Sequence, residues 1–180
     1  GELRGELHNP QEWTGRLFAQ LEYTDLVTWK KWFDYPLDIR SGTGGVRLWL
    51  DFDGNTITEV TADVALAKVA MRLASDLPLL ELDYLHGRLG AKENSRVGME
   101  VSGRKLALKT GAGITLQDAD FAVRWDSGGE DRPPRGEIEA DGIELAPLAK
   151  LAEYLPLPKH ARARLAATEP GGSLHELKLA

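Results

Sequence analysis

The stretch Val46-Arg47-Leu48-Trp49-Leu50-Asp51-Phe52-Asp53-Gly54-Asn55 alternates apolar and polar residues and then turns. Val46, Leu48, Leu50 and Phe52 share one parity, and Arg47 and Asp51 take the other. Patterning with a period of two sends successive side chains to opposite faces of a β-strand. Asp53-Gly54-Asn55 is hairpin-turn chemistry, because Gly and Asn accept positive φ. Trp49 has the parity opposite to Leu48 and Leu50. It is expected on the other face, where it is either covered by a helix or part of a contact surface.

The same alternation extends in both directions. Upstream, Leu17, Ala19, Leu21 and Tyr23 oppose Arg16, Gln20 and Glu22. Downstream, Val60, Ala62, Val64 and Leu66 follow the turn; the parity then slips at Ala67, and Val69, Met71 and Leu73 carry the new phase. A slip of one residue predicts a bulge or a strand break. Leu85 and Leu89 flank Gly87, and Val97, Met99 and Val101 alternate with Arg96 and Glu100. Leu106 and Leu108 alternate with Lys105 and Lys109, Phe121, Val123 and Trp125 with Asp120 and Arg124, and Ile138 and Ala140 with Glu137, Glu139 and Asp141.

Helical spacing appears three times. Thr24 or Asp25 caps a short helix through Phe33, with Leu26, Trp29 and Trp32 or Phe33 on one stripe. Leu148, Leu151, Ala152 and Leu155 mark a helix over 145–155, with Pro147 in its first turn. Pro158 opens a third, to Ala167, with Lys159, Arg162 and Arg164 around it. Turns are expected at 41–45, 111–113 and 127–135. Residues 15–50 and 136–179 share a weak strand–helix–Pro–Leu–Gly-Gly–strand repeat, within a single β-rich segment over 1–180.

Composition narrows the function. Among 180 residues, 22 Lys+Arg stand against 28 Asp+Glu, a net charge of −6, so no basic footprint for nucleic acid is present. With 42% hydrophobic residues the chain is apolar enough to fold. No apolar run approaches the roughly 18 residues of a membrane span. There is no cysteine, which removes disulfides, Cys-zinc sites and thiol catalysis. Both ends, Glu2–Leu7 and Leu174–Ala180, fall inside alternating sequence, so the chain is expected to be cut from a longer one, with any signal or anchor outside it.

No catalytic set emerges. Asp51-Phe52-Asp53-Gly54-Asn55 resembles the start of a calcium loop, but Thr56 and Ala62 stand where Gly and Glu are needed. Ser41-Gly42-Thr43-Gly44-Gly45 lacks the Gly-Lys-Ser/Thr of a phosphate loop. His8, His86, His160 and His175 have no ligand spacing, and His86 is expected to face solvent. No Gly-x-Ser-x-Gly elbow is present. The carboxylate pairs Glu137/Glu139 and Asp118/Asp120 share a face each, and a solvated sheet face explains them better than acid–base work. Trp29, Trp32 and Phe33 read as core packing, with Trp13, Trp49 and Trp125 on or near strands.

Strands with one apolar face must hide it. A closed barrel or sandwich does so by self-packing. An open sheet can line a groove that lipid covers, with each buried methylene contributing about 0.8 kcal/mol and an acyl chain of ~16 carbons on the order of 10 kcal/mol. Periodicity does not choose between the two.

A resemblance adds to this. Gly15-Arg16-Leu17, Thr24-Asp25-Leu26, Trp29 and Trp32, then 46–52, Thr61-Ala62-Asp63-Val64-Ala65-Leu66, Asp76-Leu77-Pro78, 85–89, 121–125 and Leu145 to Pro158 resemble the AsmA-like proteins of the Gram-negative envelope, closest to the YhdP branch. The resemblance implies a mainly β fold with a few short helices, its curved, largely antiparallel open sheet forming a groove. It implies a non-enzymatic segment of a periplasmic bridge, without cofactor or catalytic residues, in a full-length protein anchored in the inner membrane. The partners it implies are phospholipid and neighbouring segments of the same long chain. Guided by that fold, the parity marks Leu17, Leu21, Leu48, Leu50, Phe52, Val64, Leu66, Met99, Leu106, Leu108, Phe121, Val123 and Trp125 as groove lining. Unpaired end strands are expected to give a homodimer by edge pairing. The alternative reading is a structural or protein-interaction module whose apolar face is packed by its own helices; a hydrolase using paired carboxylates is a third.

Overall fold

The computed structural model describes residues 2–4, 14–29, 38–54, 56–94, 98–126, 128, 135–157, 162–163, 171–174 and 177–179. In chain order these form β1 (Glu2–Arg4), β2 (Thr14–Asp25), α1 (Leu26–Trp29), β3 (Asp38–Asp53), β4 (Thr56–Arg72), β5 (Leu80–Asn94), β6 (Gly98–Thr110) and β7 (Thr115–Asp126). β8 (Arg135–Asp141), β9 (Ile143–Glu144), α2 (Leu145–Leu151), a 3-10 turn (Ala152–Tyr154), β10 (Ser173–Leu174) and β11 (Leu177–Leu179) follow.

Nine strands make one antiparallel meander, β1-β2-β3-β4-β5-β6-β7-β8-β11, while β9 and β10 pair separately. Among the described residues the sheet does not close, so the open, mainly β architecture matches the expectation. Short turns set part of this order, folding β4 back on β3 and β7 back on β6, whereas β11 reaches β8 only after β9, α2 and β10. Asp53 pairs with Thr56, leaving a two-residue turn in which Gly54 adopts φ 58°. The turn at 110–114 is closed by the Thr110 N–H donating to Ile114 O at 2.8 Å and the Ile114 N–H donating to the Thr110 hydroxyl at 3.0 Å.

The strands are long, up to 17 residues in β4, or roughly 55 Å. They stay in phase only because bulges reset them. Tyr23, Lys68, Lys105 and Asp118 have φ near +50°, each where its strand carries one extra residue against a neighbour. Ala67 and Lys68 both face solvent, and Val69 then returns to the core. Arg104 and Lys105 do the same before Leu106, as do Gln117 and Asp118 before Ala119. The parity slip at Ala67 is therefore a bulge. Tyr23, expected to continue the apolar row of β2, is displaced by its bulge and lies 96% exposed.

Glycines face the bulges. A Cβ on Gly87 (φ 142°) would lie 2.9 Å from the Lys105 carbonyl oxygen and 3.0 Å from Leu106 Cα. Gly44 is pressed in the same way against the Ala65 carbonyl and Leu66 Cα. This corrects the expected turn at 41–45: the segment runs through the interior of β3, its glycines giving room to neighbouring chain.

The core lies at one end of the sheet. Leu26 of α1, Leu77 of the β4–β5 connection and Leu151 and Ala152 of the α2 turn are all buried there. Leu26 and Leu151 share one core cluster with Val69, Leu82, Leu108, Leu116, Ala119 and Ala140, with Leu148 and Tyr154 packed against it. The Asp25 carboxylate accepts the Val27 N–H at 3.0 Å, the cap expected for α1. The helix expected over 145–155 is α2 followed by the 3-10 turn. Of the third, residues 162 and 163 are helical, and the remainder lies outside the described residues. So do the readings placed on His8, Trp13, Trp32, Phe33, Val97, His160 and His175, most of 127–135, and Tyr35 to Leu37 of the repeat.

Candidate functional site

Strand register carries a continuous apolar row across the sheet. Leu17 of β2 faces Leu50 of β3, and the row continues through Val60, Ala91, Val101, Val123 and Ile138. One step nearer the helices run Ala19, Leu48, Ala62, Leu89, Gly103, Phe121 and Ala140. Period-two alternation places both rows on one face.

The thirteen residues marked from sequence lie on this face, but in two different settings. Val64, Leu66, Leu106 and Leu108 are buried in the chain's own core, with Phe121 packed against it. Among the described residues these five are packed by the chain's own side chains. Leu21, Leu48, Leu50, Phe52 and Val123 are half-buried, and Leu17, Met99 and Trp125 are exposed at 47%, 40% and 41%. Apart from Leu21, which pairs with the core residue Val46 on the way to α1, the second group lies toward the end carrying the 53–56 turn.

Sequence reasoning passed over other members of the uncovered half. Val60, Val101 and Ile138 had the parity that marks them. Ile57, 54% exposed, did not: an extra residue in β4 brings it opposite Phe52. Ala91 joins the row through register alone.

The opposite face is charged. Arg16, Asp51, Glu59, Lys92, Glu100, Arg124 and Glu137 form a row paired strand to strand. Arg16 Nε donates to Asp51 at 2.6 Å, Lys92 Nζ lies 3.0 Å from Glu59, and Arg124 Nε donates to Glu100 at 2.9 Å. Arg124 also reaches Glu137 at 3.4 Å and Glu139 at 3.5 Å, so one guanidinium bridges that carboxylate pair. Hydrogen bonds from Arg16 and Arg88 hold the Asp51 and Asp63 carboxyls below the usual range. The Arg124 guanidinium is held more firmly protonated, chiefly by Glu100. Exposed pairs of this kind add little to stability, so the ladder selects register and keeps this face wet more than it stabilises the fold.

Trp49 lies on the charged face, as its parity requires. Its ring is 5.2 Å from that of Phe18 and 5.5 Å from the Arg88 guanidinium. Among the described residues no helix covers it: its neighbours are a second ring and a cation. His86 is exposed, as expected. Among the described residues no His, Asp and Glu side chains gather as a metal site, and no helix is long and apolar enough to cross a membrane.

Compared with known proteins, residues 2–180 match the family model described as YhdP protein. No curated protein and no solved structure was found to match.

Proposed function

The chain belongs to the YhdP family, envelope proteins associated with lipid transport, and on that premise we propose that its uncovered apolar face shelters phospholipid acyl chains as one segment of a bridge between the inner and outer membranes. The observation that carries this reading is the row from Leu17 to Ile138, apolar at every position and exposed at 47% and 43% at its two flanks. Water over such a row is costly, at about 25 cal/mol for each Å² of apolar surface. Hydrocarbon laid along it recovers that cost without any polar chemistry. The acyl-contacting set is then Leu17, Leu48, Leu50, Phe52, Val60, Met99, Val101, Val123, Trp125 and Ile138. Val64, Leu66, Leu106 and Leu108 belong to the chain's own buried core. The segment is read as non-enzymatic and periplasmic, continuing into neighbouring segments of a chain anchored in the inner membrane.

A second reading, a structural module with a self-packed core, is favoured by the α2 turn sealed onto Leu116 and Ala140. It accounts for that half of the face and leaves the other unexplained.

Photo-crosslinking separates the two. A benzophenone side chain is placed at Leu50 on the uncovered half, at Trp49 on the charged face, and at Leu82 under the cover. Phospholipid adducts at position 50 alone are the expected result. Adducts at none of the three, or equally at 49, would remove the acyl-shelter reading.

A further inference from the structure

The charged face is ion-paired along most of its length but unbalanced at one place. Arg47, Arg88, Arg104, Lys105 and His86 line a concavity of about 670 Å³ above Gly45, Ala65 and Gly87. Three carboxylates share it, and all three are occupied. Asp63 is bound to Arg88 at 2.5 and 2.9 Å. Asp120 accepts the Lys105 backbone N–H at 2.6 Å. Glu22 accepts the Gln20 amide at 2.9 Å. Among the described residues, Arg47, Arg104 and the Lys105 ammonium have no salt-bridge partner, in a chain whose net charge is −6.

The bulge in β6 creates this arrangement. In regular alternation Arg104 and Lys105 would point to opposite faces. The extra residue, with Lys105 at φ 48°, lets both face out before Leu106 returns to the core. Gly87 admits the bulged backbone. A strained non-glycine residue is retained where the surroundings hold it, often at binding sites. Here the strain gathers two consecutive cations beside Arg47 and Arg88.

We propose that this concavity binds a phosphate-type oxyanion. Guanidinium forks and an ammonium around one opening match tetrahedral oxygens, which accept charge-assisted hydrogen bonds from several directions. The site lies across the sheet from the acyl-bearing face, separated by a layer of backbone. It therefore stands or falls independently of the lipid reading. The oxyanion can be a free phosphate or the headgroup of a lipid other than one lying on the apolar face.

The test follows the backbone amide resonances of Gly87, Arg104 and Lys105 in the 180-residue chain. One arm titrates inorganic phosphate at low ionic strength. The other adds vesicles of phosphatidylcholine alone or with phosphatidylglycerol. Saturable shifts with phosphate identify a free anion, and shifts only with phosphatidylglycerol vesicles identify a headgroup; either supports the site. Binding should weaken at least about tenfold in an Arg104→Gln/Lys105→Gln double variant whose remaining spectrum is unchanged, and weaken with added salt. Should the double variant be misfolded, Arg47→Gln on a different strand tests the same cavity. The site is overturned if no arm gives saturable shifts, or if the folded variant binds as the parent does.

Discussion

Asp63 grips Arg88 through both carboxylate oxygens, Nε at 2.5 Å and Nη2 at 2.9 Å, and so holds the guanidinium 5.5 Å from the centre of the Trp49 ring. The pair joins β4 to β5 and reaches diagonally to β3, tying three strands on the charged face. The Arg88 hydrogen bond holds the Asp63 carboxyl below its ordinary 3.8, with Coulombic help from Arg47 and His86. A depressed carboxyl stabilises the fold fully above its unfolded value, and that contribution is lost as pH falls through the folded one. The thermal midpoint should therefore begin to lose this contribution near pH 3.8 and go on losing it below. Asp63→Asn should lower the neutral-pH midpoint by no more than about 4 °C, because the pair is half exposed, and should flatten the acid limb. Thermal melts between pH 7 and pH 3 check both; an unchanged acid limb would mean that Asp63 is not the titrating group.

Gly87 and Gly111 make a matched pair of substitutions. At Gly87, alanine would place a Cβ within 3.1 Å of three backbone atoms in 104–106, at a φ of 142°. At Gly111, in the β6–β7 turn, nothing lies within 4 Å. Gly87→Ala should cost about 1–3 kcal/mol and Gly111→Ala less than about 0.5 kcal/mol, read by urea unfolding. Equal costs would show that the β6 bulge does not press on β5.

The contrast between those glycines also marks what was legible in the sequence. Alternation from Leu17 to Ala140 is enough to predict an antiparallel sheet, and the slip at Ala67 locates one bulge. The other bulges left weaker traces. Gly103-Arg104-Lys105-Leu106 reads as ordinary alternation at Leu106 and Leu108 unless Gly103 is counted as an inward position. Gly42-Thr43-Gly44-Gly45 looks like a loop because glycine usually marks one, whereas here it marks close passage of one backbone past another. The thirteen positions share one face, since parity is a local property. Which of them a helix covers depends on where α2 docks, a contact between residues far apart in sequence that no local period records. The oxyanion cavity was invisible for a similar reason: Arg47, Arg88 and Arg104 lie on three strands and meet only through register.

Leu82 and Leu17 test whether the apolar face is two surfaces. Leu82 is 3% exposed beneath the cover and Leu17 is 47% exposed beyond it. Leu82→Ala should cost about 2–5 kcal/mol, from lost transfer energy plus the cavity left behind. Leu17→Ala should cost less than about 1 kcal/mol, since little of its surface is removed from water. Chemical denaturation of both variants in the absence of lipid is the measurement. A large loss at Leu17 would mean that the outer half is packed against protein, and the acyl-shelter reading would lose its surface.

The last prediction concerns the outer edge of β2. β1 pairs only with Thr14 to Arg16, and from Leu17 to Asp25 no strand lies beyond β2 among the described residues. A run of that length presents backbone N–H and C=O groups able to template another strand. Leu17, Ala19 and Leu21 add an apolar margin to it, and Phe18 lies 49% exposed on the other face. The chain should therefore form a concentration-dependent dimer, visible by light scattering as a mass near twice 19.8 kDa. Ala19→Lys, an inward-pointing charge on the same edge, should shift the equilibrium back toward monomer, as natural sheets use lysine to blunt their edges. A parent chain that stays monomeric at the highest attainable concentration would show that this edge is already covered, and β2 would then be excluded as the junction to a neighbouring segment.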